Sequence, residues 1–244
     1  MKKALELKRK YLLERDKLFQ TLISTNDGVH FNKNHTNLVD NIVKELVEEI
    51  LEIHPVSDFT LIAVGGYGRR DLSPKSDVDL LFIYKKTNKN IRDFITTLNN
   101  SLWDIGLEVG ISFLTIKQAT IDSKKDIKTV TKFVETRYLI GDEDYYGEFV
   151  RSIKILVGKI NPLKICEQKL LELVDRHDFY LGIKSNLEPQ IKEGIGGLRD
   201  IHTIIWISIF IFNVHKLDEL SQINIFTASE VKELKSSWKF LLTV

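Results

Sequence analysis

Residues 59–84 read FTLIAVGGYGRRDLSPKSDVDLLFIY. The apolar run Leu61 to Val64 stops at Gly65-Gly66, and a second run, Val78 to Tyr84, begins inside the pair Asp77-x-Asp79. Two buried strands flanking a polar, turn-rich loop account for this pattern. On a strand, residues two apart point the same way, so Asp77 and Asp79 share one face while Val78 and Leu80 take the other. Two neighbouring carboxylates repel, and a hard divalent cation is the usual reason to keep both ionised. Gly65-Gly66 offers bare backbone that phosphate oxygens can approach, with Arg69, Arg70 and Lys75 supplying positive charge nearby. Either feature alone is a common turn; together they predict a site for a metal-bound nucleoside triphosphate. Two standard phosphate cradles are excluded, because Gly66-x-Gly68 lacks the third glycine of a dinucleotide fingerprint and no Gly-Lys-Ser/Thr makes a P-loop.

Composition narrows the field. The chain has 244 residues, 43% of them apolar, enough for a substantial core. Its formal charge is +1, from 35 basic and 34 acidic residues, so no global field attracts a nucleic-acid polymer. The single cysteine, Cys166, excludes an intrachain disulfide and a cysteine-rich zinc site, and it reads as a small packing residue. The charged start MKKALELKRK is followed by no apolar h-region, and Ile204 to Val214 is too short to span a bilayer. A cytoplasmic protein is expected.

Outward from the central stretch, residues 4–24 describe an amphipathic helix. A polar break from Ser24 to Lys33 and a second helix from about Thr36 to Ile53, ended by His54-Pro55, are predicted next. Beyond the two strands, Ile91, Phe94, Ile95, Leu98, Leu102 and Ile105 set a helix that Gly106 terminates. Leu107 to Thr115 is the third strand, with Glu108, Gly110 and Ser112 on one face. Glu108 is the candidate third carboxylate if this strand neighbours that of Asp77 and Asp79, and an edge glutamate in water if it does not. From Asp126 onward the signal is helical almost to the end. His177 and Asp178 read as polar residues of the helix over 163–181, not as a metal pair. Lys192 to Asp200 places Gly194, Gly196 and Gly197 before an apolar helix. It is either a phosphate-binding turn with Lys192 and Arg199 or a glycine-rich cap on a buried helix. Thr227 and Glu230 have capping-box spacing for a last helix. That helix stops without a glycine cap or polar tail, as expected of part of a longer protein.

The Gly-Gly turn, short loop and Asp77-x-Asp79 resemble the signature of the DNA polymerase beta-type nucleotidyltransferase superfamily. GGYGRRDLSPKSDVDLL, with LEVGIS at 107–112 and KEGIGGLRDI at 192–201, is similar more narrowly to the bacterial PII-protein uridylyltransferase/uridylyl-removing family. The resemblance implies an α+β fold: a polymerase-beta-like core of a small mixed sheet with helices, plus an α-helical domain. The implied division is N-terminal helices over 1–54, a core over 55–125 and a helical domain over 126–244. It further implies two Mg²⁺ ions, or Mn²⁺, held by Asp77, Asp79 and Glu108. Nucleotide contacts would come from Gly65, Gly66, Arg69, Ser76, Lys192, Gly196, Gly197 and Arg199. The donor would be UTP and the acceptor a tyrosine of the nitrogen-regulatory PII protein. This chain departs from the family pattern at Arg70, where glycine is expected, at Asp71 in place of glutamate, and at Ile111 in place of histidine. Nothing in the sequence selects uracil over adenine. A glutamine-synthetase adenylyltransferase-like modifier, or a nucleotide-binding module without transfer, stays open.

Overall fold

The computed structural model describes residues 2–182 and 189–243. Helix α1 (Lys2–Thr25) turns into α2 (Gly28–Ile53) over two residues only. Asn26 takes the left-handed conformation at φ 53°, which Asn tolerates, and the Asp27 carboxylate accepts a hydrogen bond from the His30 amide at 3.1 Å. The polar break expected from Ser24 to Lys33 is therefore corrected to a tight corner. Residues 28–33 are helical because Asp27 caps them and because Phe31 and Asn32 are buried.

Strand β1 (Phe59–Val64) leads through a four-residue helical turn α3 (Gly65–Gly68) and a loop to β2 (Val78–Tyr84). Helix α4 (Lys89–Ile105) is closed by Gly106 at φ 91°, as its sequence predicts, and its start is capped by Asn88. It crosses to β3 (Val109–Leu114), which is followed by α5 (Ile116–Lys125) and α6 (Ile127–Val134). Next come β4 (Thr136–Gly141) and α7 (Glu143–Val157). The sheet order is β3-β2-β1-β4, with β2 and β3 parallel and the other pairs antiparallel. Such a parallel pair needs a crossover element, and α4 is that element.

All six residues of β1 are buried. The central strands thus carry continuous apolar runs, not alternating ones. Leu61, Ala63, Leu80 and Phe82 belong to one core with Val39, Ile42, Val43, Leu46 and Ile50 of α2 and Phe94 and Leu98 of α4. The rings of Phe59, Phe82 and Phe94 meet at 5.0–5.5 Å between centroids.

Strand β4 corrects the expectation of helix from Asp126 almost to the end. Its TRYLIG sequence buries only Leu139, so it lacks a strong two-residue apolar alternation. What fixes it is non-local. Ala63 pairs with Arg137, and the Arg137 guanidinium makes two hydrogen bonds to the Asp40 carboxylate, at 2.7 and 3.0 Å. A further bond, at 3.2 Å, goes to the Tyr67 carbonyl, and the guanidinium lies 5.3 Å from the centre of the Tyr67 ring. Asp40 is only 6% exposed. A buried carboxylate of this kind is tolerable because its partner is bidentate.

Contacts group the chain as Met1–Leu156 and Val157–Val244, whereas the sequence reading divides it at residues 54 and 125. The second group holds α8 (Pro162–Gly182), α9 (Leu198–Phe212), α10 (Leu217–Gln222) and α11 (Ala228–Leu241). Thr227 and Glu230 form the expected capping box. A mixed α+β fold with a helical second unit is what the family resemblance implies.

Asp40→Ala leaves Arg137 buried without its carboxylate, so the expected loss is about 3 kcal/mol of stability in urea unfolding. A loss below about 1 kcal/mol would show that solvent replaces the pair.

Candidate active site

The parallel register places Val78 opposite Val109 and Asp79 opposite Gly110, and the Val78 amide donates to the Glu108 carbonyl at 2.7 Å. Residues paired across a sheet share a face, so Asp79 and Gly110 face the same way. Asp77 and Glu108, each one step before its strand, continue that face. The strand neighbourhood that the Glu108 reading requires is present. Glu108 itself precedes β3, and both it and Asp77 are exposed.

Glycine makes room for the Asp79 carboxylate at Gly110, and Gly65 borders it on another side. A Cβ at Gly110 would stand 2.9 Å from its Oδ1, and one at Gly65 would stand 3.5 Å from its Oδ2. Gly65 is also left-handed, at φ 59°. The Gly-Gly turn and Asp79 are thus adjacent, as the sequence stretch predicts. Ile111, where the family pattern has histidine, packs against the core on the opposite face, paired with Leu80.

Helix α2 holds the loop at residues 70–73. The Asn32 amide donates to the Asp71 carboxylate at 2.8 Å and to the Ser73 hydroxyl at 3.3 Å. His35 lies between the Leu72 carbonyl, 3.0 Å from Nδ1, and the Tyr11 hydroxyl, 3.1 Å from Nε2. Those partners fit a neutral ring with its proton on Nδ1. Arg70 donates to the Asn37 side chain at 2.9 Å. Its φ of 66° explains why the family pattern favours glycine there.

The cations and carboxylates pair differently from the sequence expectation. Arg69 is bound to Glu135, a buried carboxylate just after α6. Asp79 receives a hydrogen bond at 2.8 Å from the ammonium of Lys132, on α6. Neither Lys132 nor Glu135 has a local sequence signal, because their partners are 53 and 66 residues away. Among the described residues, no group of three or more His, Cys, Asp or Glu side chains is gathered closely enough to hold a metal ion. The donor set nonetheless suits a hard cation: carboxylate oxygens on one face, with an ammonium already on Asp79.

The Lys192–Asp200 segment belongs to the second unit. Its backbone amides are largely used internally: Gly194 donates to Gln190, Gly197 to Gly194, Leu198 to Ile191 and Arg199 to Lys192, all at 2.9 Å. The Gly196 amide bonds the Asp200 carboxylate at 2.8 Å, which also receives Arg176 and sits 3.0 Å from His177 Nε2. Arg199 makes a bidentate pair with Glu193 and lies 5.5 Å from the centre of the Trp206 ring. Partial burial pushes the Glu193 carboxyl up, but the Arg199 hydrogen bonds and charge hold it below its ordinary value. These bonds build the start of α9. His177 is a satisfied polar residue, and exposed Asp178 stands apart from it. Burial raises the Cys166 thiol pKa, in keeping with an unreactive packing residue.

The family model described as GlnD PII-uridylyltransferase matches residues 164–244, and that described as nucleotidyltransferase domain matches 43–137. The second match covers the Gly-Gly turn, Asp77, Asp79, Glu108 and Lys132. The bifunctional uridylyltransferase/uridylyl-removing enzyme of Rhodospirillum rubrum is 33% identical over 250 residues, covering 98% of this chain and 25% of that protein. The enzyme of the same name from Chromobacterium violaceum is 38% identical over 178 residues, 72% of this chain and 20% of that protein. The chain belongs to the PII-uridylyltransferase family. Within that family it carries a nucleotidyltransferase-type enzyme domain. It spans a quarter or less of the lengths of these curated relatives. Among the described residues, no helix is long and apolar enough to cross a membrane.

Two outcomes follow from this bonding. Burial, reinforced by Arg15's charge, holds the His35 pKa below its ordinary 6.5 despite the Leu72 carbonyl. The unfolded chain therefore takes up that proton first, and stability falls as pH drops below about 6.5. His35→Gln should lower the melting temperature at pH 7.5 but flatten its fall towards pH 5.5. An equally steep fall would exonerate His35. In the second unit, Arg199→Ala should cost about 1 kcal/mol in thermal or urea unfolding, because it removes the hydrogen-bonded partner of Glu193 and leaves only Arg176, at 3.8 Å. Unchanged melting would mean that the pair is not structural.

Proposed function

We propose that this chain transfers UMP from UTP to a tyrosine hydroxyl of a PII nitrogen-regulatory protein in the cytoplasm, with Mg²⁺ or Mn²⁺ held by Asp77, Asp79 and Glu108. The observation that carries the reading is Asp79 set between Gly65 and Gly110, on the face that Asp77 and Glu108 continue. Asp77, Asp79 and Glu108 would hold the metal, which would supply charge neutralisation at the triphosphate and activation of the acceptor hydroxyl. The tyrosine oxygen forms a bond to the α-phosphorus, the α–β anhydride breaks, and pyrophosphate leaves.

The chain's own contribution is positioning. Gly65 and Gly66 present backbone without side chains to the phosphates, and Ser76 lies on the same anchored loop. Arg69, bound to Glu135, ties the loop to the segment just after α6. Asn32, His35 and Asn37 keep the loop's course fixed, so little order has to be gained when nucleotide binds. In the second unit, the bonding of Gly196, Gly197 and Arg199 supports a framing role, and exposed Lys192 is assigned to an anionic ligand. UTP as donor rests on the names of the relatives and PII as acceptor on the description of the matching family model, since none of the described residues distinguishes uracil from adenine.

Transfer of labelled nucleotide to PII is the test. Label from UTP supports the proposal; label only from ATP, or on another protein, favours an adenylyltransferase, and binding without transfer a non-catalytic module. Asp77→Asn and Asp79→Asn should each reduce transfer by at least about a hundredfold, with circular dichroism unchanged. Near-normal rates in either would exclude that carboxylate from the metal set.

A further inference from the structure

Asp79 is engaged by a cation of the protein itself. The Lys132 ammonium stands 2.8 Å from Oδ1, reaching across 53 residues of sequence from α6. The helix beneath it is well anchored. Val130, Thr131 and Phe133 are buried, and the Asp126 carboxylate caps the helix by accepting from the amides of Lys128 and Thr129 at 3.1 Å. Glu135, just beyond the helix, holds Arg69. The backbone at Lys132 is therefore fixed, while its ammonium ends a four-carbon stem whose side chain is 33% exposed and can turn.

A divalent ion on Asp79 would sit close to this ammonium, which already occupies Oδ1, and the two positive charges would repel strongly at that range. The ammonium has a second anion within reach. Helix α6 packs beside the Gly65–Gly68 turn, and Gly65 borders the same Asp79 carboxylate. Phosphates approaching Gly65-Gly66 therefore come close to the Lys132 side chain.

We propose that Lys132 is a built-in counter-ion for the metal-free site. It neutralises Asp79 until a metal-bound nucleoside triphosphate enters, then releases the carboxylate and moves its ammonium to the triphosphate oxygens. The inference rests on the metal-site reading above. It follows that metal alone binds poorly and that metal and nucleotide bind cooperatively, because the nucleotide gives Lys132 its alternative partner. A purely structural ion pair has neither property.

The test compares the wild type with Lys132→Met, Lys132→Arg and Asp79→Asn. Mn²⁺ binding without nucleotide is followed by electron paramagnetic resonance of the free ion. Binding of a non-hydrolysable UTP analogue with Mg²⁺ is followed by calorimetry. Lys132→Met should bind Mn²⁺ alone roughly tenfold more tightly and the Mg²⁺ analogue roughly tenfold more weakly, while Lys132→Arg stays near wild type for Mn²⁺. Unchanged or weaker Mn²⁺ affinity in Lys132→Met, or undiminished affinity for the analogue, overturns the proposal. Loss of Mn²⁺ binding in Asp79→Asn without a gain in Lys132→Met removes the role of Lys132 alone. Wild-type Mn²⁺ affinity in Asp79→Asn removes the metal site, and this inference with it. Melting curves check each fold, and Lys132→Gln takes the place of the methionine variant if that one melts early.

Discussion

The buried pair between Asp40 and Arg137 is the constraint on which the first unit depends. A carboxylate in the core is tolerated only with a partner of matching geometry, and the planar guanidinium meets it with two parallel bonds. The same guanidinium binds the Tyr67 carbonyl, so helix α2, edge strand β4 and the turn after β1 meet at one side chain. Helix α2 accordingly has two tasks. Its Val39, Ile42, Leu46 and Ile50 pack in the core with the sheet, while Asn32, His35, Asn37 and Asp40 fix the loop that leads to Asp77.

The parts of this architecture that are legible in the sequence are those whose causes are local. The runs around Gly65-Gly66 and Asp77-x-Asp79, the glycine that closes α4 and the capping box at Thr227 each carry their explanation within a few residues. Strand β4 does not, because Arg137 is drawn to the sheet by a partner far upstream and TRYLIG has little periodicity of its own. The start of α2 is hidden for a related reason. Its opening follows the polar stretch STND with little apolar periodicity, yet Asn32 is buried because the loop over 71–73 supplies its hydrogen bonds.

The site divides along the same line. That Asp77, Asp79 and Glu108 fall on one face follows from strand periodicity and parallel pairing. The partners of the basic residues do not follow, since a charge near a glycine turn looks equally suited to a phosphate and to a carboxylate. Here carboxylates of the protein have taken several of these cations: Glu135 holds Arg69, Glu193 holds Arg199, and Asp200 holds Arg176. Arg70 shows the complementary case, a departure from a family pattern whose meaning lies in a backbone angle.

The Asp40–Arg137 pair also bears on the order in which the protein can be made. Its members are 97 residues apart, so the ribosome releases Asp40 long before its partner exists. Until then the carboxylate keeps its water, and α2 cannot seat fully. The sheet is incomplete for the same interval, because β1 still lacks its β4 neighbour. Completion of the first unit thus waits until Arg137 has emerged, with the slow closure typical of distant contacts. A nascent chain halted before Arg137 would hold the glycine turn and both aspartates without the framework that aims them.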